Sequence, residues 1–319
     1  MKRKSTIVSA VVIFLALCFF LLKIPVVSTS VLRHAVIFKT RFCMKNKVVA
    51  GWSGWLFFEP ELSYCVNPLP LDNLRKIKEY DSTLSAHGMT LFVVPVPNKI
   101  DIYPEKFTLF PSPVPVKKER TELLRKLDSI GVRVIDLVPA FVNLKKDGLV
   151  FDPYESHWSA LGIETAARII AGRIDSAFVN KGLLHDTRYT VCDTILKTRG
   201  DLHERLDSSG ASLWYPFGLR RVKCVDDSFY SDDRKSGILI IGDSFVNHGK
   251  WWNAGIGAQI ARFLRHPTRT YFSLLANTEG PCMYKIKPAV FPKNGIVIWT
   301  FTSRVLQYQL GDPAESDKK

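Results

Sequence analysis

The chain has 319 residues, enough for one large or two small domains with a substantial buried core. Its 44 Lys and Arg against 30 Asp and Glu give a net charge of +14 at pH 7, which favours anionic partners such as headgroups, acidic polymers or nucleic acid without choosing among them. Neither a Cys-x-x-Cys zinc spacing nor a nucleotide-binding glycine loop is present, so zinc modules and nucleotide-dependent chemistry drop out.

The chain opens on the basic run Met1-Lys2-Arg3-Lys4, and from about Ile7 to Leu22 it is almost wholly apolar. With Ile24, Val26 and Val27 this stretch approaches the roughly 20 residues that span a bilayer. Residues 1–30 therefore read as a single-pass signal anchor, with the basic flank cytoplasmic and the rest of the chain exported. A cleaved signal peptide is the competitor. The apolar core exceeds the usual length of about 7–15 residues and Val27-Ser28-Thr29 is a poor cleavage site, which favours retention. An exported chain has no access to nucleic acid. Cys18 lies in the apolar segment, and Cys43, Cys65, Cys192, Cys224 and Cys282 would meet an oxidising compartment where disulfides persist. Five is odd, so at least one is free or bridges to another chain.

Residues 31–49 read as a basic, irregular juxtamembrane connector. Gly51-Trp52-Ser53-Gly54-Trp55-Leu56-Phe57-Phe58 is a dense aromatic run, expected as a core strand entered by a tight turn, with a sugar-stacking platform as the alternative. Leu71, Leu74, Ile77 and Leu84 predict one helical face closed by Gly88, and Met89 to Val96 predicts a buried strand. A second unit repeats this, with a helix marked by Leu123, Leu127 and Ile130 and a strand from Val132 to Leu137. A third helix carries Ile163, Ala167, Ile170, Ile174 and Phe178 on one stripe. Ile238 to Ile241, a helix through Ile256, Ile260 and Phe263, and strands near Tyr271–Leu275 and Ile296–Thr300 complete the series. Strands alternating with helices predict one α/β domain over 50–310, a mainly parallel sheet flanked by helices. Residues 183–236 fit this alternation least and read as a loop-rich insertion, and 311–319 as a frayed tail.

The chemistry centres on Ile241-Gly242-Asp243-Ser244-Phe245, an apolar strand that turns sharply into a helix. A serine at this corner sits among the unpaired N–H groups and positive end of the helix, which favour an oxyanion. The plain alternative is that Asp243 and Ser244 only cap the helix. A nucleophilic serine needs a base and the base an orienting acid. Among the seven histidines, His157 stands in Asp152-Pro153-Tyr154-Glu155-Ser156-His157-Trp158-Ser159, where Glu155 at i−2 projects to the same side of an extended loop. Asp152 is the reserve acid. His248, four residues after Ser244, is the rival base, but no acid stands beside it as Glu155 does beside His157. No metal site is expected.

Several motifs in order carry a family resemblance: Gly51-Trp52-Ser53-Gly54-Trp55-Leu56-Phe57; Val94-Pro95-Val96-Pro97-Asn98-Lys99 with Tyr103-Pro104-Glu105; Glu155-Ser156-His157-Trp158 followed by Gly162; Gly200-Asp201-Leu202; Gly242-Asp243-Ser244-Phe245; and Trp299 with Arg304. Between Gly51 and about Leu306 the chain resembles the AlgX/AlgJ-like alginate O-acetyltransferase family, whose catalytic domain is a variant of the SGNH hydrolase fold. The resemblance implies an SGNH hydrolase-like (flavodoxin-like) domain behind one transmembrane helix, anchored in a bacterial inner membrane and facing the periplasm. It implies Ser244 as nucleophile and His157 as base. The family's Asp two residues before the histidine is Glu155 here. Gly-Asp-Ser is the spelling of ordinary SGNH esterases, which keeps hydrolysis in play. Asn98, Asn247 and Asn277 are candidates for a second oxyanion donor, and Asp243, Arg304 and His248 for substrate contact or support. The family further implies a polysaccharide acceptor, to which the excess Lys and Arg and Arg304 would be suited, and an acetyl donor delivered by a polytopic membrane O-acyltransferase, with no cofactor of the chain's own. A carbohydrate esterase and a non-catalytic glycan-binding subunit of an export complex are the alternatives.

Overall fold

The computed structural model describes residues 25–108, 117–180, 187–207, 214–273 and 291–310. A small antiparallel sheet of β1 (Met44–Lys45), β2 (Val48–Ala50) and β3 (Leu56–Phe58) precedes its centre, a five-stranded, wholly parallel sheet of β4 (Thr90–Val96), β5 (Arg133–Val134), β8 (Ile238–Gly242), β9 (Arg269–Phe272) and β10 (Ile296–Thr302), in the order β5-β4-β10-β8-β9. The last strand in sequence thus fills the middle of the sheet. Successive side chains of a strand face opposite ways, and the two cores divide accordingly. Phe92, Val94, Val96, Ile238, Ile240, Ile296 and Ile298 enter one, while Leu91, Val93, Ile241, Val297, Trp299 and Phe301 enter the other. Ile163, Ala167, Ile170 and Ile174 on one helix (Ala160–Asn180) and Ile256 and Ile260 on another (Ile256–Leu264) cover the first face. Ile77, Leu84, Leu124 and Leu127, on helices Asn73–Ala86 and Lys118–Ser129, cover the second. The predicted SGNH-like alternation is present, with helices on both faces of a parallel sheet.

Four features depart from the sequence reading. The expected connector is helical from Pro25 to Phe42, and Leu32 and Val36 are buried in the larger core, because apolar residues four apart share a helix face. Lys39 on this helix donates to the carbonyls of Ala50 and Phe107, so part of its basic character is spent on the protein's own backbone. The expected strand from Val132 to Leu137 pairs only at Arg133–Val134, and a short helix, Val138–Leu144, follows. Leu71 precedes its helix and is 98% exposed.

The expected insertion is no string of loops. β6 (Tyr189–Thr198) and β7 (Tyr215–Cys224) form a ten-pair antiparallel ribbon. Such a ribbon has two partly solvated faces, so β6 lacks the strong apolar alternation that announces a strand. Phe217, Leu219 and Val222 are its buried anchors. Cys43, Cys65, Cys192 and Cys224 are free thiols. Among the described residues no helix is long and apolar enough to cross a membrane. The apolar segment from Ile7, Cys282 and the 311–319 tail lie outside the described residues.

Gly242, the last residue of β8, approaches Thr300 so closely that a Cβ would stand 1.6 Å from the Thr300 carbonyl oxygen. Gly242→Ala is expected to cost about 3 kcal/mol or more of unfolding free energy, read by chemical denaturation. A variant as stable as the wild type would contradict the close strand contact.

Candidate active site

Ser244 opens a one-turn helix, α9 (Ser244–Asn247), at the carboxyl end of β8. The corner is fixed by Asp243. Its carboxylate is fully buried and accepts from Phe245 N at 3.0 Å, Thr302 N at 2.8 Å and Thr302 Oγ1 at 2.9 Å. Asp243 therefore caps the turn and ties it to the end of β10. It faces into the sheet, so of the two roles expected for it, substrate contact or support, its bonds fit support.

Glu155, Ser156 and His157 lie on a loop pinched shut by the antiparallel bridge between Phe151 and Trp158. Ser159 accepts from Gly162 N and so caps the following helix, as its place in the sequence suggests. Within the loop, Glu155 Oε1 meets His157 Nδ1 at 2.7 Å, leaving Nε2 as the ring nitrogen free for chemistry. Phe245, the residue after Ser244, gathers the two segments. Its ring lies 4.9 Å from that of His157, 5.4 Å from Trp158 and 6.5 Å from Phe151. The structure thus brings the serine corner and the Glu155–His157 pair into one site. Among the described residues no hydrogen bond joins Ser244 Oγ to His157.

His248 closes α9 and stacks on His157, ring centroids 4.7 Å apart and 6° from parallel, with Phe217 of β7 against its other side. Donor atoms of Glu155, His157 and His248 fall within 4.8 Å of one another. Lone pairs in two parallel ring planes do not converge on one ion, however, and the nearest Glu155 oxygen is engaged by His157. The arrangement favours proton transfer over metal binding. Burial, then the charge of His157, pushes the His248 pKa well below its ordinary value. For His157, burial works against the charged ring, but the Glu155 hydrogen bond and the charges of Glu155 and Asp201 outweigh it and hold the pKa above 6.5. Burial also raises Glu155, against the opposing pull of His157.

The remaining expected residues divide. Asn98 follows β4 at the same end of the sheet, fully buried, and caps the short helix Lys99–Ile102 in a box with Asp101, whose carboxylate accepts from Asn98 N at 2.9 Å. Asn247 ends α9, and Asn277 lies outside the described residues. Arg304 is buried beside the Phe58 and Phe245 rings and pairs with Glu61 at 3.3 Å. Asp152, the reserve acid, makes no bond to His157; burial raises its pKa to about 6, opposed by Lys99. The aromatic run is largely core, with Trp55 against Tyr103 and Phe57 against Phe107.

Three residues at the site went unpredicted. Lys99 is fully buried, donates to the carbonyls of Leu56 and Pro153, and is lowered to about 8 by burial against the pull of Glu61 and the other acids. Glu61 is raised to about 7 by burial. Asp201 accepts from Ser156 N and Ser156 Oγ. Lys99 and Asp201 lie in ordered motifs of the sequence; Glu61 had no signal there.

A serine at a strand-to-helix corner, an acid–histidine pair on a neighbouring loop and a five-stranded parallel sheet define an SGNH hydrolase-like domain. The model of the family described as SGNH hydrolase-like domain, acetyltransferase AlgX, matches residues 48–256, and the chain belongs to this family. It is 28% identical over 224 residues to the probable alginate O-acetylase AlgJ of Pseudomonas aeruginosa, covering 64% of this chain and 56% of that protein. To its counterpart in Azotobacter vinelandii it is 25% identical over 280 residues, 81% and 69% of the two chains. The O-acetyltransferase domain of Pseudomonas putida AlgJ shares the fold, with TM-score 0.64 at 21% identity over 85% of this chain and 97% of that one. The chain thus spans little more than half the length of the P. aeruginosa relative.

Replacing Asp243 by Ala strands the buried Thr302 amide, and a loss of about 1–3 kcal/mol in unfolding free energy is expected. A loss below about 0.5 kcal/mol in chemical denaturation would contradict the clamp.

Proposed function

We propose that this protein is an O-acetyltransferase that carries acetyl on Ser244 and passes it to hydroxyls of an exported, anionic, alginate-like polysaccharide. The observation that carries this reading is the 2.7 Å contact between Glu155 and His157 beside the serine corner. With Nδ1 held by Glu155, Nε2 is the nitrogen that takes the Ser244 proton once substrate brings the two within reach. The oxygen then attacks the donor carbonyl. Asp243 occupies the Phe245 amide, which leaves the Ser244 amide as the oxyanion donor at this turn, with the buried Asn98 side chain as the candidate partner. His157 returns the proton to the leaving group. In the second half it deprotonates a sugar hydroxyl, which takes the acetyl from the serine as the ring hands that proton back to Ser244 Oγ.

The names of the relatives support alginate as the type of acceptor and acetyl as the group moved. The basic, then apolar first 27 residues support an inner-membrane anchor that leaves the catalytic domain in the periplasm. Acetyl would then arrive from a polytopic membrane O-acyltransferase, and the chain needs no cofactor of its own. The Gly242-Asp243-Ser244 spelling keeps a carbohydrate esterase as the second reading.

The test supplies the purified protein with an activated acetyl ester, with and without an anionic oligosaccharide. Acetyl on the sugar, reduced at least about 10³-fold by Ser244→Ala, is expected. Acetate release indifferent to the sugar would overturn transfer. Because neutral His157 is the base and its pKa is raised, kcat/KM should climb with pH through a midpoint above 6.5. Glu155→Gln should lower both that midpoint and the rate, the latter roughly 10²–10⁴-fold.

A further inference from the structure

The acid of the Glu155–His157 pair has a carboxyl group directly behind it. Asp201 begins the helix Asp201–Leu206, and the turn before it is built against the catalytic loop. Gly200 has φ 75°, and a Cβ there would stand 2.3 Å from the carbonyl oxygen of Tyr154. Leu202 N donates to that same carbonyl at 3.1 Å. Asp201 then closes on the loop in three bonds. Its Oδ1 accepts from Ser156 N at 2.6 Å, its Oδ2 accepts from Ser156 Oγ at 2.7 Å, and its own N–H donates to Glu155 Oε2 at 3.2 Å. Glu155 is thereby gripped at both oxygens, one by His157 and one by the Asp201 amide.

We propose that Asp201 is a positioning residue: it fixes Glu155 against His157 through the Ser156 clamp and adds a second negative charge behind the imidazolium that forms during acyl transfer. The proposal rests on the reading of His157 as base and goes beyond it, since that mechanism needs only Glu155. The charged and titratable groups around the pair are Glu155, Asp201, Arg304 and His248 about His157, with Lys99, Glu61, Asp152 and Tyr215 about the two carboxyls. Of those about His157, Glu155 and Asp201 favour its charged form and Arg304 disfavours it. A clamp alone requires hydrogen bonds; a clamp that also stabilises the imidazolium requires charge.

Asp201→Asn separates the two. The amide oxygen still accepts from Ser156 N and the amide nitrogen can donate to Ser156 Oγ, so the loop keeps its ties while the charge is gone. The experiment is an NMR titration of the full chain, labelled at the histidine ring carbons, with His157 assigned by its loss in His157→Gln. The midpoint of His157 is expected to fall by about one pH unit in Asp201→Asn, and kcat for ester-to-sugar transfer by about tenfold to a hundredfold with KM unchanged. An unaltered midpoint in the folded variant overturns the proposal. Should Asp201→Asn fail to fold, Ser156→Ala releases one bond to Asp201 and leaves its charge, so the midpoint is expected to stay while kcat falls; a kcat equal to wild type there overturns the clamp. The titration needs no turnover. A shifted midpoint in a protein that transfers no acetyl would sink the functional reading and leave the positioning role in place.

Discussion

Asp243 holds the first turn of the serine helix to the end of the central strand, and most of what is distinctive in the fold follows from that attachment. β10 is the last of the described strands in sequence and the middle one in space, so the Ser244 corner is complete only when β10 has been inserted between β4 and β8. The insertion is close enough that Gly242 has no room for a side chain, and Asp243 then spends its buried charge on three donors at the junction. A buried carboxylate is tolerable only when such donors surround it. The geometry of a one-turn helix, which could not hold its own shape in water, is thus borrowed from the sheet.

The second organising feature is a line of buried charge along the same end of the sheet. Glu61 pairs with Arg304, its other oxygen accepts the Lys99 amide, and the Lys99 ammonium is bound to the Pro153 carbonyl within the loop that carries Glu155 and His157. The loop itself carries Glu155 and His157 and is closed from outside by Asp201. Each group satisfies its neighbour, so the loop is held by charge-assisted bonds from several elements at once. Such a frame keeps the imidazole oriented without a strand or helix of its own. The aromatic residues divide the work: Phe245 joins loop to corner, and the ribbon sets Tyr215 against Tyr154 and Phe217 against His248 as a wall.

How much of this the sequence disclosed depended on whether a residue's role is local. The sheet and its helices were legible because buried strands and amphipathic helices write their period into consecutive residues, as in Ile238–Gly242 and the Ile163–Ile174 stripe. The Glu155–His157 contact was legible for the same reason, being an i,i+2 pair on one loop. Long-range partners were not. Nothing near Asp201 in sequence points to Ser156, and nothing near Arg304 points to Glu61, which stands 243 residues away. The sequence therefore leaves substrate contact and support equally open for Arg304 and Asp243, and only the fold shows their partners Glu61 and Thr302. The ribbon escaped because its faces are too wet to alternate, and the Pro25–Phe42 helix because its two buried residues are outnumbered by basic ones.

The proposed transfer turns on Ser244 Oγ as the atom that carries acetyl. The direct measurement is mass spectrometry of the full chain after exposure to an activated acetyl donor without acceptor, with the modified peptide sequenced. Acetyl on Ser244, discharged when an anionic oligosaccharide is added and absent in His157→Ala, is the predicted result. A protein that turns over the donor while Ser244 stays unmodified under rapid acid quench would contradict it.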